Sequence, residues 1–349
     1  MLTYPVQRTG ILRRAGVRAT MAPSVHNTQP WRLHLAADRL DLYADLKRQL
    51  AVLDPTSRQL YISCGCALMN ARVAMAGEGC GIRVQRFPRI PRTDYVASVT
   101  PTEDPADLAL AALDPVIELR QTNRGQFADE AVPEPVLATL QSAATAEAAS
   151  LYLIRDAKPK LAVARLSQRA DAIENLNPAY RAELRAWTTD DPARPDGVAT
   201  GPVAGRGPLR GFDLGTSGPA TRTRVSRKQA LAVLCTDGDS FVDWLRAGEA
   251  LERVLLEITR YGLSASLLTE ITEVPSIRAE LRDELELTGY PHVLMRIGRA
   301  PAVPVARRRR LVEVLTEETT PTLVTEASSV TAPTLVTEAV TGPQISPSG

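Results

Sequence analysis

Apolar positions along this chain recur with two periods, one near 3.6 residues and one of 2, and the switches between them outline its elements. Ile11, Leu12, Ala15 and Ala19 share one face of a helix predicted over 7–21. The stretches 31–35 (WRLHL) and 39–43 (RLDLY) alternate and read as a β-hairpin. Residues 57–78 are largely apolar and predict a long helix, with Ser57 placed to cap it and Gly79 and Gly81 beyond its end. Strands follow near 82–87 and 95–99, then a helix over 105–121. Beyond a stretch punctuated by proline and charge come a helix over 133–147, a strand over 151–155 and helical patterns over 158–173 and 178–187. A strand over 230–236, a strongly amphipathic helix over 241–262, a helix near 276–286 and a strand over 292–298 follow. Two segments lack any period. Residues 188–222 are rich in Gly, Pro, Thr and Arg and read as a long loop, of the kind that forms lids. The tail beyond 316 is of low complexity, carries PTLVTEA at 321–327 and again at 333–339, and reads as disordered.

Composition narrows the function classes. With 349 residues, 44% of them apolar, the chain can build two compact units or one large one. A net charge of +1 argues against a basic field for nucleic acid, and 4% aromatic residues offer few stacking platforms. Cys64, Cys66, Cys80 and Cys235 form no C-x-x-C pair, and histidine is scarce, so neither a zinc site nor a disulfide framework is expected. The cysteines read as buried thiols in a reducing cytoplasm, and the C-G-C spacing at 64–66 as helix packing. The N-terminus lacks an apolar leader and no run approaches the ~20 apolar residues of a membrane span, so a cytoplasmic protein is expected.

One segment carries the chemistry. In Ala22-Pro23-Ser24-Val25-His26-Asn27-Thr28-Gln29-Pro30-Trp31, Pro23 ends the preceding helix, and Ser24 with the main-chain N–H groups after it can face an oxygen-rich ligand. Asn27 offers a donor and an acceptor together, which suits a heterocycle edge or a polyol. By itself this is also an ordinary helix-to-strand turn. A hundred residues on, Arg120-Gln121-Thr122-Asn123-Arg124-Gly125-Gln126-Phe127 sets two guanidiniums and a hydroxyl close together, which can grip a phosphate dianion by forked, charge-assisted hydrogen bonds. Taken alone, it is equally a solvated basic loop.

The string A-P-S-x-x-N-x-Q-P-W resembles the signature of the nitroreductase superfamily, seven fixed positions between a first long helix and a first strand. R-x-T-x-R resembles that family's phosphate clamp. The two motifs are complementary. The first half has the P-S-x-x-N turn but a poor clamp, RRAGVR. The second has the clamp, but SAATAEAASLYLI stands where the turn would be. The chain is therefore similar to the Acg family of nitroreductase-like flavoproteins, over roughly residues 5–315. The resemblance implies an α+β nitroreductase fold of two fused halves, with mixed sheets covered by helices. The first half would be 1–116, the second 117–315 with the lid loop 188–222, and the tail 316–349. It implies one FMN site per chain, held by Pro23, Ser24, Val25 and Asn27 from one half and Arg120, Thr122 and Arg124 from the other. Within 307–310 (RRRR), Arg308 and Arg309 match a second basic grip on the phosphate, and Leu268 and Thr269 match main-chain contacts to the flavin ring. Arg181 and Arg185 are candidates, by position, for a cation at the ring's pyrimidine edge. His26 and Trp244 read as structural. The implied activity is NAD(P)H-dependent reduction of nitroaromatic or quinone acceptors. The alternative is a protein that sequesters FMN beneath the lid with little turnover. A homodimer stays open.

Overall fold

The period-2 and period-3.6 stretches build two main sheets and a small two-stranded ladder around a pair of central helices. The computed structural model describes residues 5–189, 191, 193–199, 228–318 and 349. In the first half, α1 (Pro5–Ala19) leads through a short turn to β1 (Trp31–Leu35) and β2 (Leu40–Ala44). Then come α2 (Arg58–Gly77), β3 (Gly81–Arg86), β4 (Tyr95–Thr102) and a single helical turn, α3 (Leu108–Ala111). The second half runs α4 (Glu134–Thr145), β5 (Ser150–Ile154), α5 (Ala157–Leu176), α6 (Pro178–Ala186), β6 (Thr188–Thr189), β7 (Val198–Ala199), β8 (Ala230–Thr236) and α7 (Phe241–Arg260). It closes with β9 (Ser264–Leu268), α8 (Glu270–Glu273), α9 (Pro275–Glu284), β10 (Tyr290–Gly298), α10 (Leu311–Val314) and β11 (Leu315–Glu317).

The two halves repeat one topology. The first sheet is ordered β11-β1-β2-β4-β3 and the second β5-β8-β10-β9. Without β11, each places its first, second, fourth and third strands side by side, and all these pairs are antiparallel. The first sheet becomes mixed only through β11, which pairs in parallel with β1; the second is antiparallel throughout. In the first half a tight turn, with Ala36 N–H donating to the Arg39 carbonyl, joins the first two strands. In the second, the connection is enlarged to carry α5, α6 and the small β6–β7 ladder.

The central helices α2 and α7 cross at two glycines. A Cβ on Gly65 would lie 2.1 Å from the Leu245 carbonyl oxygen, and one on Gly248 would lie 2.0 Å from that of Ile62. The contact is reciprocal: 65 meets 245 and 248 meets 62, so that 62 corresponds to 245 and 65 to 248, as in the self-complementary interface of a two-fold dimer. Every residue of α2 except Arg72 and Gly77 is buried, which explains its apolar character on all sides. On β8, Ala232 and Leu234 join the core around α2 and α7, while Leu231, Val233 and Cys235 join a second cluster with Val163, Leu166, Ile271 and Ile277. That strand is covered on both faces, hence its unbroken apolar run.

The helix expected over 105–121 is only α3 followed by a tight turn at Asp114–Val116, because Pro115 interrupts an otherwise helical pattern. The weak clamp RRAGVR lies inside α1, within the helix expected over 7–21, and there Arg14 pairs with Asp114 at 2.6 Å and Arg13 with Glu317 at 2.6 Å. The residues after α7 include the edge strand β9. Residues 315–317 form β11, so the second half reaches across to the sheet of the first. The described residues from Pro5 to Glu318 form one compact unit. The disordered reading of the tail from 319 to 348, and the lid reading for 200–222, lie outside the described residues. All four cysteines are buried.

Candidate functional site

Site geometry begins with the turn after α1. Ser24 Oγ accepts the Gln29 N–H at 2.9 Å and closes a loop in which His26, Asn27 and Gln29 all adopt positive φ, at 46, 53 and 50°. Three left-handed non-glycine residues within four positions is unusual, and such strain persists only where the surroundings fix it. They do so here. The Val25 N–H donates to Ser63 Oγ on α2 at 3.3 Å, and Trp31, fully buried, anchors the start of β1. Gln29, also fully buried, donates to the Pro195 carbonyl at 2.9 Å and accepts the Arg309 N–H at 2.7 Å. Asn27 donates to the carbonyls of Gly197 (3.3 Å) and Arg307 (3.2 Å) and accepts from Arg308 at 3.2 Å. The turn is thus tied to the 193–199 segment and to the arm that follows β10.

The R-x-T-x-R stretch is fixed at the edge of the second sheet. Thr122 bridges Ala265 of β9, and the Asn123 N–H donates to the Ala265 carbonyl at 2.9 Å. Asn123 also donates to the Pro301 carbonyl at 2.7 Å, and its side-chain oxygen accepts the Gly125 N–H at 2.9 Å. From β10, Arg296 donates to the Gly125 carbonyl at 3.0 Å and stacks on Phe127 at 4.0 Å from the ring centre. Burial pushes its guanidinium down to about 10.

These pieces enclose a cavity of about 450 Å³, within the range of small-ligand sites. Pro23, Ser24 and Asn27 wall it from the first half, and Arg120, Thr122, Arg124 and Arg308 from the second. Both halves of the complementary motif pair therefore face one space. Val25, Leu268, Thr269 and Arg309 do not line it. Val25 packs with Leu50, Leu53 and Tyr180, and Leu268 and Thr269 sit where β9 passes into α8. Arg309 fastens Gln29, donating to its carbonyl at 3.2 Å. Arg181 and Arg185 are exposed on α6 and absent from the lining. His26 is half-buried, and Trp244 packs at the edge of the main core. The motif reading missed Gln121, Arg307 and the wall formed by Arg194, Asp196, Gly197 and Val198.

The cavity is strongly cationic. Arg120 is 3% exposed, and its Nε and Nη1 are buried without a hydrogen-bond partner, as is Arg308 Nε. Burial, then repulsion from Arg120, pushes the Arg308 guanidinium down to about 10. Glu252 of α7 lies 3.3 Å from Arg120 Nε. Burial raises its carboxyl to about 7, against the pull of Arg120 and Arg308. Asp196 also lines the cavity; burial raises its carboxyl, but its bonds to Arg194 and Arg48 outweigh this and hold it below its ordinary value. Glu252 went unnoticed among the charges of 241–262. The signal was there, since Leu245, Gly248, Glu252 and Leu256 share one helical face.

No family model matches the chain. It is 33% identical over 316 residues to the Mycobacterium tuberculosis protein named "Putative NAD(P)H nitroreductase Rv3131", covering 85% of this chain and 88% of that one. To the protein of the same organism named "Putative NAD(P)H nitroreductase acg" it is 30% identical over 321 residues, covering 88% and 95%. Among solved structures, a nitroreductase with bound FMN from Desulfitobacterium hafniense superposes with a TM-score of 0.39 at 10% identity, over 59% of this chain and 98% of that one. No helix among the described residues is long and apolar enough to cross a membrane. The relatives match over nearly their whole length, and the chain belongs to the Acg family of nitroreductase-like proteins.

Proposed function

We propose that this chain is an FMN-dependent NAD(P)H oxidoreductase with one flavin site, shared between its two halves. The observation that carries this reading is that the two complementary motifs line one cavity. Arg120, Thr122, Arg124 and Arg308 face it from one half, and Pro23, Ser24 and Asn27 from the other. Guanidiniums and a hydroxyl gathered around one space suit a phosphate dianion, which they bind by charge-assisted hydrogen bonds. The chemistry of the donor set fits the terminal phosphate of FMN, which riboflavin lacks. Arg120, Thr122, Arg124 and Arg308 would hold that phosphate, with Pro23, Ser24 and Asn27 walling the cavity from the other half. Bound there, FMN would supply two-electron chemistry, from NAD(P)H to a nitroaromatic or quinone-type acceptor. The chain's own contribution is to orient the cofactor and keep water from it.

A second reading, flavin held with little turnover, is favoured by one specific observation. The segment 193–199 forms a wall of the cavity and bonds to Gln29 and Asn27, and Arg48 ties it down through Asp196. Anaerobic mixing of the FMN-loaded protein with NADPH, followed by absorbance, tests both. Rapid bleaching that a nitroaromatic or quinone reverses supports the oxidoreductase. A flavin that stays oxidised for many minutes refutes it in favour of sequestration.

A further inference from the structure

Beneath the clamp lies a carboxylate that the flavin reading does not use. Glu252 is fully buried on α7 and does not line the cavity, yet its Oε1 is 3.3 Å from Arg120 Nε. No group meets it with full hydrogen-bond geometry. Its neighbour on the same helix is in the opposite condition. Glu249 is gripped by Arg72 at 2.7 Å and by Arg86 through two bonds of 2.7 and 2.9 Å. A buried carboxylate so loosely paired is one whose charge is readily given up. The groups facing Glu252 are Arg120 from the clamp, Arg308 from the arm after β10, and the Asn70 amide and Cys66 thiol from α2. Burial pushes the Cys66 thiol well above its ordinary value, so it stays neutral. The two arginines are thus the cations balancing Glu252, and both also face the cavity.

We propose that Glu252 is a proton-linked positioning residue. With no anion bound, its carboxylate holds Arg120; when a phosphate dianion enters, Glu252 takes up a proton, so that both guanidiniums meet the dianion with their charge uncompensated. The inference rests on the phosphate-clamp reading above. The mechanism is electrostatic. An ionised Glu252 beside Arg120 and Arg308 leaves a single net positive charge, and a protonated one leaves two. An arriving dianion repels the carboxylate and raises its proton affinity, and by linkage the protonated form binds the dianion more tightly. Burial has already brought the carboxyl close to neutral pH, where that exchange is readily completed.

Titration calorimetry of FMN into the full chain at about pH 7.5, in two buffers of different ionisation enthalpy, counts the protons exchanged. This pH lies above the second ionisation of a phosphate monoester near ~6, so the ligand itself contributes little. The expected result is uptake of roughly half a proton or more per FMN, none with riboflavin, and none with FMN in Glu252→Gln. FMN binding by the unaltered chain without uptake overturns this proposal alone, as does equal uptake with riboflavin or uptake that survives in Glu252→Gln. The absence of any FMN binding overturns the flavin reading itself and this proposal with it.

Discussion

Arg120→Ala separates the phosphate clamp from the rest of the site. In the structure Arg120 lines the cavity, and a guanidinium can offer a phosphate up to two charge-assisted bonds, which the substitution removes. At about 1.5–3 kcal/mol each, the loss is about 3–6 kcal/mol, or roughly two to four decades in Kd. Riboflavin, with no phosphate, should lose far less. Flavin fluorescence titrations of both ligands against both proteins supply the comparison. The substitution also strips Glu252 of its nearest cation, and losing one partner of a buried pair ordinarily costs about 3–5 kcal/mol. Protonation limits that cost. The Glu252 carboxyl is raised to about 7, well above the ~4.3 of an unfolded glutamate, so its favourable contribution is present at low pH and lost as pH rises through about 7. Without Arg120 that loss continues to higher pH. The variant should therefore melt near the parent at pH 6 and well below it at pH 8.5. Equal weakening of FMN and riboflavin, or unchanged FMN binding, would refute the clamp; a melting deficit greater at pH 6 than at pH 8.5 would refute the electrostatic account of Glu252.

Two further substitutions address the architecture. Gly248→Ala would set a Cβ 2.0 Å from the Ile62 carbonyl oxygen, where backbone cannot easily yield, so several kcal/mol of stability should be lost, read as a large fall in Tm; an unchanged Tm would contradict the tight crossing of α2 and α7. Truncation after Glu318 should leave Tm and FMN content unchanged. Truncation before Leu311 removes α10 and β11 and should lower both, and equal behaviour of the two truncations would contradict the role given to the arm.

The parts legible in the sequence were those with local causes. The hairpin at 31–44 and the helix at 58–77 carry their periods in contiguous residues, and the Pro23–Asn27 turn and Arg120–Arg124 stretch announce themselves as strings. What was missed depends on distant partners. β11 is three residues long and is a strand only because β1 offers it an edge. β9, with the sequence SASLL, is held between β10 and the Thr122 bridge. Val25 and Arg309 belong to motifs that do reach the cavity, yet the left-handed turn sends Val25 to Leu50 and Tyr180, and Gln29 captures Arg309. Glu252 looked like any charge on an amphipathic helix, and only the approach of Arg120 and Arg308 gives it meaning.

The central claim is that two complementary half-sites in one chain make one flavin site. The stoichiometry of FMN binding to monomeric protein, by calorimetric titration, tests it most directly. The account predicts one FMN per chain with no requirement for dimerisation. Two equivalent sites per chain, or binding only on association of two chains, would contradict it.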